Sequence, residues 1–538
     1  MTRFARPAVL ALSALGWAAA GLPATAADLC PKRGGTLTYV YAPEPVAIST
    51  LRTTGVPVSM IAGKIYEGLL QYTGPEMTPA PGLAESWQVS SDHLTYSFKL
   101  RNDVKWQDGV PFTAADVKYS IEHAIRPYHV RGDVFFGQID SIETPDPQTV
   151  VFKLKVPIPF FLQGFQAGTS PMLPKHILEQ IDVTSREAVT TSTLTSTQPV
   201  GTGPFMLKEW VKGDHITLVR NPDYWQKGLP CLDQVVLRVV PDGAARAIAV
   251  ENGEIDLAPM NALPYPDIER LTKQPQFEIS EKGTEGLGTD MWLDLNLRAA
   301  PLSDVRVRQA ISLALDRQAI INVIWYGYGK AARSPIVSTN PFFDKSLKPL
   351  AYDLKKAAAL LDEAGYKPDA NGVRFEIKQY ALPYGEQYVR LGEYIRQQLR
   401  KIGIEVKTQS LDIGGWLKAV FTDWDYQMTS TFTDNRNDPT IGSQRLFTTA
   451  DIRKGATFTN SMGYSNPEID RLFADGALES DPTKRKAIFD QMQQILQADM
   501  PVIPLVELPN VSVWNKRVHG ILTNGLSYYD GWETVWKD

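Results

Sequence analysis

The amino-acid sequence predicts an α/β protein with two lobes. The prediction rests on two strand–helix–strand units, at residues 235–258 and 375–408, which lie more than a hundred residues apart. In each unit a glycine, Gly253 or Gly403, marks a helix end. In the second unit the two strands are expected to be parallel and joined by a right-handed crossover. Because ligands usually bind where two lobes meet, the pattern predicts a cleft site.

Other segments extend this pattern. Alternating polar and apolar residues predict further strands, and a spacing of three to four apolar residues predicts helices. Strands are expected at 36–41, 94–100 and 150–154, with a hairpin at 205–210 and 215–220; helices are expected after the N-cap Thr113, over 304–325 and over 354–364. The Ser- and Thr-rich stretch 182–199 is expected to be a surface loop.

The N-terminus predicts export to the periplasm. Basic Arg3 and Arg6 precede an apolar run at 8–22, and small residues end at Ala26 and Ala27, so residues 1–27 fit a cleaved signal peptide. A membrane-spanning helix would need about 20 apolar residues, more than this run contains. The residues before Cys30 are not the small ones of a lipoprotein signal, which predicts a free periplasmic protein.

The only two cysteines are Cys30 and Cys231. An oxidising compartment favours pairing of two thiols, so we predict a disulfide between them. Two separately buried thiols are the alternative.

Composition and motifs argue against an enzyme. Acidic and basic residues nearly balance, 60 against 55, so no nucleic-acid groove is expected. The six histidines are scattered, which predicts no metal site, and nucleophile-elbow and phosphate-loop motifs are missing. Gly327 and Gly329 loosely resemble a dinucleotide-binding motif, but they follow a helical pattern rather than a strand. The run 434–439 resembles a calcium loop, but it has Arg436 and Pro439 where that loop needs an oxygen ligand and glycine. We therefore expect no cofactor; an exported hydrolase is the alternative class.

Several segments then resemble one family, the extracellular solute-binding proteins of family 5, which serve peptide and nickel ABC importers. The resemblance covers nearly the whole mature chain and follows the family's order. The segments are Gly34-Gly35-Thr36-Leu37, Ile65-Tyr66-Glu67-Gly68-Leu69, Leu83-Ala84-Glu85-Ser86-Trp87, 94–106 with Asp108-Gly109, Gly201-Thr202-Gly203-Pro204-Phe205, Arg220-Asn221-Pro222-Asp223-Tyr224-Trp225, Asn252-Gly253-Glu254-Ile255-Asp256 and Val307-Arg308-Gln309-Ala310.

The resemblance implies a two-lobed periplasmic binding protein fold with a hinge and an extra subdomain in the first lobe. It places the first lobe at 28–284 with the subdomain at about 71–198, the second lobe at 285–507, and a C-terminal segment at 508–538 that returns to the first lobe. A monomer is expected to close on its ligand and to dock on the permease subunits of an ABC importer in the inner membrane.

The resemblance also names candidate ligand contacts, and a di- or oligopeptide is the first expectation. Asp434 matches the aspartate that receives a peptide's ammonium group. Peptide-binding members place an arginine before a Pro-Tyr pair, but here Leu382 precedes Pro383 and Tyr384. Two explanations are open: Arg436 replaces the charge of that arginine, or the ligand is longer, so that its C-terminal carboxylate reaches water. The remaining candidates are Asn435, Phe432, Trp416 and Trp424 in the second lobe and Thr53 and Thr54 in the first. A metal chelate, an opine-like solute and a sugar-derived solute are the alternatives.

Overall fold

A computed structural model describes residues 29–538. The predicted signal peptide, residues 1–27, lies outside them. The strands are, in chain order, β1 (Thr36–Val40), β2 (Leu70–Thr73), β3 (Thr78–Pro81), β4 (Ala84–Val89), β5 (Thr95–Leu100), β6 (Ile139–Asp146), β7 (Thr149–Leu154), β8 (Phe205–Val211), β9 (His215–Arg220), β10 (Gln234–Arg238), β11 (Leu257–Ala258), β12 (Phe277–Ser280), β13 (Thr289–Leu295), β14 (Lys330–Ala331), β15 (Phe375–Tyr380), β16 (Ile404–Gln409), β17 (Met428–Asp434), β18 (Val502–Glu507), β19 (Ser512–Asn515), β20 (Val518–His519) and β21 (Trp536–Lys537).

Helices connect these strands. The longer ones are Val56–Ile65, Gly243–Glu251, Val305–Leu313, Arg317–Ile324, Leu354–Glu363, Glu386–Arg400, Pro467–Leu478 and Pro482–Asp499. Shorter α-helical segments are Ala114–Ser120, Arg126–Tyr128, Gly132–Phe136, Lys175–Leu178, Arg186–Thr191, Thr193–Ser196, Tyr265–Leu271, Ala300–Ser303, Ile413–Leu417, Pro439–Gly442 and Gln444–Phe447. The pattern predicted at 304–325 is two helices, because Asp316 caps the second one through its side chain.

The first sheet has the strand order β12-β19-β11-β1-β10-β9-β8. β1 lies between β10 and β11, the strands of the first predicted unit, and is parallel to both; the predicted hairpin forms β8 and β9. β19, from the C-terminal part of the chain, lies between β11 and β12 and is antiparallel to both. The end of the chain thus completes the sheet that its beginning starts.

The second sheet has the order β14-β18-β13-β17-β15-β16. β15 and β16 are parallel across the helix Glu386–Arg400, which confirms the second predicted unit. β13 is buried along its whole length, since strands lie on both of its edges and helices cover it. On one side Trp292 packs in a core with Phe489 of the helix Pro482–Asp499.

A four-stranded sheet, β4-β5-β7-β6, forms within the segment expected as the subdomain. Its helix Ala114–Ser120 begins at Thr113, whose backbone N–H donates to Asp116 Oδ2 over 2.8 Å in a capping box. The stretch 182–199 is only partly the predicted surface loop. Ser185 and Ser192 each cap a short helix there through a side-chain hydrogen bond, and one turn into the first of these helices Val189 is fully buried.

The chain crosses between the two main sheets at residues 281–288 and 508–511. A disulfide joins Cys30 to Cys231, the pair that the sequence indicated, beside the start of β1. Among residues 29–538, no helix combines the length and the apolar character that a bilayer crossing requires. We propose that the lobes have the limits that the family resemblance implies, with the hinge at the two crossings.

Candidate functional site

Asp434 ends β17 at the side of the second sheet that meets the first lobe. Its register partner on β13 is Thr289, whose Oγ1 donates a hydrogen bond of 3.0 Å to Asp434 Oδ1. Thr289 Oγ1 in turn accepts from Asn510 Nδ2, 2.9 Å away, on the second crossing segment. The carboxylate is therefore oriented by a hydrogen bond to a neutral group, and this leaves its charge available to a cation.

Aromatic side chains surround this carboxylate. The ring of Phe432 lies 5.3 Å from that of Tyr384, edge to face, and 6.2 Å from that of Tyr388. Tyr41 of the first lobe lines the same cavity, whose volume is only about 20 Å³. The lobes thus close on a narrow site whose walls combine aromatic rings with polar groups, among them Arg246, Asn510 and the Asp434 carboxylate.

The phenols near Asp434 are neutral donors. Burial raises the pKa of Tyr384, and the negative charge of Asp434 raises it further. Burial likewise raises the pKa of Tyr41 and Tyr529 well above the ordinary value, with Asp434 as an additional cause in both. These hydroxyl groups therefore keep their protons at neutral pH and can donate hydrogen bonds to a ligand.

The first-lobe loop with Thr53 and Thr54 faces the second lobe. A Cβ atom on Gly55 would come within 3.2 Å of the Tyr384 hydroxyl oxygen, so the two lobes approach closely here. Thr53 is buried, and its Oγ1 accepts a bond of 3.3 Å from Gly55 N, while the carbonyl of Thr54 accepts from Ser59 Oγ. This geometry brings the loop to the cleft, although the threonine side-chain oxygen supports the loop itself.

Asn435 and Arg436 have different surroundings. Asn435 is fully buried, its Oδ1 accepts from Val337 N and its Nδ2 donates to Pro335 O, so its side chain holds two loops together. Arg436 has a left-handed backbone with φ of 57°, and its Nε and Nη1 atoms are buried without a hydrogen-bond partner. Of the two, only Arg436 retains free donors.

The two candidate tryptophans do not line the cavity at Asp434. Trp416 is fully buried, donates from Nε1 to Thr429 Oγ1 over 2.9 Å and packs against Phe421, so it belongs to the second-lobe core. Trp424 is half-buried and stacks with the guanidinium of Arg298, 3.9 Å from the ring centre. At the Pro-Tyr pair, Leu382 is buried, which leaves Asp434 and Tyr384 without the arginine that the resemblance would place there.

Sequence reasoning missed several residues of this region. Tyr41 and Arg246 from the first lobe line the cavity, and Arg131 of the subdomain donates from Nε to Ile441 O of the second lobe over 3.1 Å. Arg445 lies on the short helix after the run 434–439. Only the density of arginines near Asp434 in the sequence could have indicated part of this set.

A larger cavity of about 1010 Å³ lies next to these arginines, between the subdomain and the second lobe. Its walls include Val130 and Gln444, the chain neighbours of Arg131 and Arg445. We take the narrow cavity as the candidate site because it lies at the strand ends between the two main sheets, whereas the larger one is more open. Among residues 29–538, no cluster of three or more His, Cys, Asp or Glu side chains is arranged to hold a metal.

Two α/β sheets joined by two crossings, with a closed cleft and one oriented carboxylate between them, define a two-lobed solute-binding protein. The chain matches the family of bacterial extracellular solute-binding proteins, family 5 middle, over residues 78–460. It therefore belongs to that family, whose members are the substrate-binding components of ABC importers.

Individual relatives agree with this assignment. The chain is 29% identical to the glutathione-binding protein GsiB of Escherichia coli over 474 residues, 86% of each chain. It is similar to the periplasmic binding protein DppA of Helicobacter pylori, solved with the peptide STSA, with a TM-score of 0.84, 27% identity and coverage of 94% and 98%. It is also similar to the oligopeptide-binding protein AppA of Bacillus subtilis, solved with a nonapeptide, with a TM-score of 0.84, 26% identity and coverage of 94% and 99%. These relatives are solute-binding proteins rather than enzymes.

Proposed function

We propose that this protein captures a peptide-like solute with a free amino group and presents it to an ABC importer. The observation that carries the proposal is the setting of Asp434, whose carboxylate has a hydrogen bond from Thr289 and an aromatic cavity with Tyr384 and Phe432 around it. An ammonium group is the natural partner of a carboxylate in such a cavity, because a charge-assisted hydrogen bond strengthens when water is excluded.

The relatives support a peptide-like ligand. Two of the similar structures are described as complexes with a peptide, and the Escherichia coli relative is named for glutathione, a tripeptide with a free amine. Leu382 argues against the way in which peptide-binding members hold a dipeptide's carboxylate. Glutathione and other short peptides with a free amine are therefore the first candidates to test.

The remaining parts of the role follow from the family. We propose a monomer that works in the periplasm after signal-peptide removal, without a lipid anchor, and that docks on the permease subunits in its closed form. The proposed cleft binds and releases its ligand unchanged, since Asp434 and the phenols offer a cation site and donors but no nucleophile with an adjacent base.

The decisive experiment is calorimetry on Asp434→Asn, which keeps shape and removes charge. We expect peptide affinity to fall at least tenfold, about 1.4 kcal/mol. N-acetylation of the peptide should lower its affinity for the native protein by a similar factor. It should lower the affinity for the variant hardly at all, since both changes remove the same ammonium–carboxylate pair. Asp425→Asn is the matched control, because Asp425 lies in the same lobe with its side chain 68% exposed.

Equal affinity of the native protein for free and acetylated peptides would reject Asp434 as the amine site. Mass spectrometry of the ligand recovered from the purified protein tests the absence of turnover. Recovery of a chemically altered ligand would contradict that part of the proposal.

A further inference from the structure

Arg131, Arg436 and Arg445 form a cluster near Asp434, because the charges of Arg436 and Asp434 act on both Arg131 and Arg445. Arg131 and Arg445 are each 3% exposed, and Arg436 is half-buried. None of the three forms a salt bridge with a carboxylate of residues 29–538, whereas the nearby Arg453 is paired with Asp451 at 2.6 Å. The cluster brings together the subdomain and two segments of the second lobe.

Each guanidinium keeps donors without a partner. Arg131 Nε donates to Ile441 O, and Arg445 Nη1 donates to the carbonyl of Phe458. The buried atoms Arg131 Nη1, Arg445 Nε and Arg436 Nε and Nη1 have no hydrogen-bond acceptor. A buried donor without an acceptor is costly to the fold, so such a concentration at one place indicates that an acceptor arrives from outside.

Buried arginines elsewhere in this protein provide an internal comparison. Arg317 donates from Nε, Nη1 and Nη2 to Pro504, Ser312 and Leu315. Arg308 is likewise satisfied by main-chain carbonyls, among them those of Asp499 and Leu302. Arg308 and Arg317 thus have a hydrogen-bond partner for every guanidinium nitrogen, whereas the three arginines near Asp434 do not.

The electrostatics of the cluster favour an anion. Burial lowers the pKa of Arg445 to about 10, while the charge of Asp434 opposes this and that of Arg436 adds to it. Burial also lowers the pKa of Arg131, and the charges of Arg445 and Arg436 lower it further. Guanidinium groups still remain charged near neutral pH. Three positive charges against the one carboxylate leave two in excess.

His129 does not add to this charge. Burial lowers its pKa to about 3, with repulsion from Arg131 and Arg445 as further causes, so its imidazole is neutral near pH 7. The carboxylates of Glu122, Asp133, Asp451 and Asp470 are on the wall of the larger adjacent cavity, where Asp451 already pairs with Arg453. None of these four carboxylates forms a salt bridge with Arg131, Arg436 or Arg445, so the three guanidinium groups have no paired carboxylate on this wall.

We propose that the ligand of this cleft carries at least two carboxylates besides its amine, and that Arg131, Arg436 and Arg445 receive them. The inference rests on the proposed function and adds an anionic selectivity to it. An ordinary peptide is neutral overall and would leave two positive charges unmatched. A γ-glutamyl peptide or a peptide with an acidic side chain supplies further carboxylates, and guanidinium binds each of them in a bidentate manner.

The test is calorimetry with matched pairs of ligands. The pairs are glutathione and its glycine amide, Ala-Asp and Ala-Asn, and Asp-Ala and Asn-Ala, each measured with a free and an acetylated amine. We expect loss of a carboxylate to weaken binding at least tenfold. In the variants Arg436→Gln and Arg445→Gln, removal of the ligand carboxylate should weaken binding at most a few-fold, because the arginine that pairs with it is already gone. Arg396→Gln is the control, because Arg396 lies on the helix Glu386–Arg400 of the second lobe with its side chain 37% exposed.

The arms separate this inference from the proposed function. Equal binding of acidic and neutral partners, with amine acetylation still harmful, would overturn the arginine assignment and leave the Asp434 proposal standing. Sensitivity to the carboxylate without sensitivity to the amine would support the arginines and reject Asp434. A panel in which no acidic member binds also overturns the inference. If Arg445→Gln has a much lower melting temperature than the native protein, the comparison is made with Arg436→Gln alone, since Arg436 is only half-buried.

Discussion

Thr289 and Asp434 face each other across β13 and β17, and the hydroxyl of Thr289 donates to the carboxylate over 3.0 Å. The same hydroxyl oxygen accepts from Asn510 Nδ2 at 2.9 Å, on the segment where the chain crosses back to the first sheet. Two consecutive hydrogen bonds therefore connect the proposed amine site to one of the crossings. The orientation of the Asp434 carboxylate therefore depends, through Thr289, on Asn510, which lies on a segment that moves if the lobes open.

Removal of the Thr289 hydroxyl should weaken binding more than folding. A hydrogen bond to a charged group contributes about 1.5 to 3 kcal/mol, so Thr289→Val should lower the affinity for free-amine peptides roughly tenfold or more. Thr433→Val is the matched control. Thr433, on β17, is as buried as Thr289, but its Oγ1 has no hydrogen-bond partner. Calorimetry should show near-native affinity for that control, and equal losses in the two variants would contradict the role given to Thr289.

The Cys30–Cys231 disulfide should stabilise the protein by restricting the unfolded chain. It closes a loop between residues 201 positions apart, for which about 3 to 5 kcal/mol is expected. Paired replacement of both cysteines by serine should lower the melting temperature while ligand affinity at 25 °C stays the same, since the bond lies away from Asp434. Alkylation of both thiols in the unreduced, denatured protein would show that the bond does not form.

Local patterns predicted much of the fold. The alternation from Thr36, the capping residue Thr113 and the second α/β unit at 375–408 all correspond to elements in the structure, since each depends on residues close in sequence. The position of β19 between β11 and β12 could not be derived that way. It depends on contacts across more than two hundred residues, and only the resemblance to a family implied it.

The candidate site was harder to predict than the fold. Asp434 was found because its motif matches a family position, and the structure places it beside Tyr384 and Phe432. Asn435 belongs to the same motif but has both amide atoms occupied by loop backbone. Arg131 comes from the subdomain, three hundred positions away, and no local signal separates it from an ordinary surface arginine.

Asp438 should be important for stability rather than for recognition. It forms a buried salt bridge with Arg485, with oxygen–nitrogen distances of 2.5 and 3.0 Å, and caps the helix Pro439–Gly442. Asp438→Ala leaves a buried charge unpaired, so we expect a loss of about 3 to 5 kcal/mol in the free energy of unfolding. Asp475→Ala, which breaks an exposed pair with Arg471, should cost less than about 1 kcal/mol. Similar losses in urea titrations of both would contradict the prediction.

Glu67 should make the stability of the protein depend on pH. It is 9% exposed, and its carboxyl accepts hydrogen bonds from the Tyr224 hydroxyl at 3.0 Å and from Trp225 Nε1 at 3.1 Å. Burial raises its pKa from 4.5 to about 8, although the hydrogen bonds from Trp225 and Tyr224 lower it, and the charge of Glu533 raises it further. The folded protein therefore holds a proton that the unfolded chain has already released.

The sign follows from this difference in bound protons. Stabilisation by protonated Glu67 is complete below pH 4.5 and is lost as the pH rises through the window from 4.5 to about 8. Glu67→Gln mimics the neutral form at every pH, so its melting temperature should fall less than the native one between pH 5 and pH 8.5. Glu85→Gln is the control, because Glu85 is exposed on the neighbouring strand β4 and should leave the native pH profile unchanged. Calorimetric melting of the three proteins across this range decides the matter, and parallel profiles for Glu67→Gln and the native chain would show that Glu67 does not hold the proton.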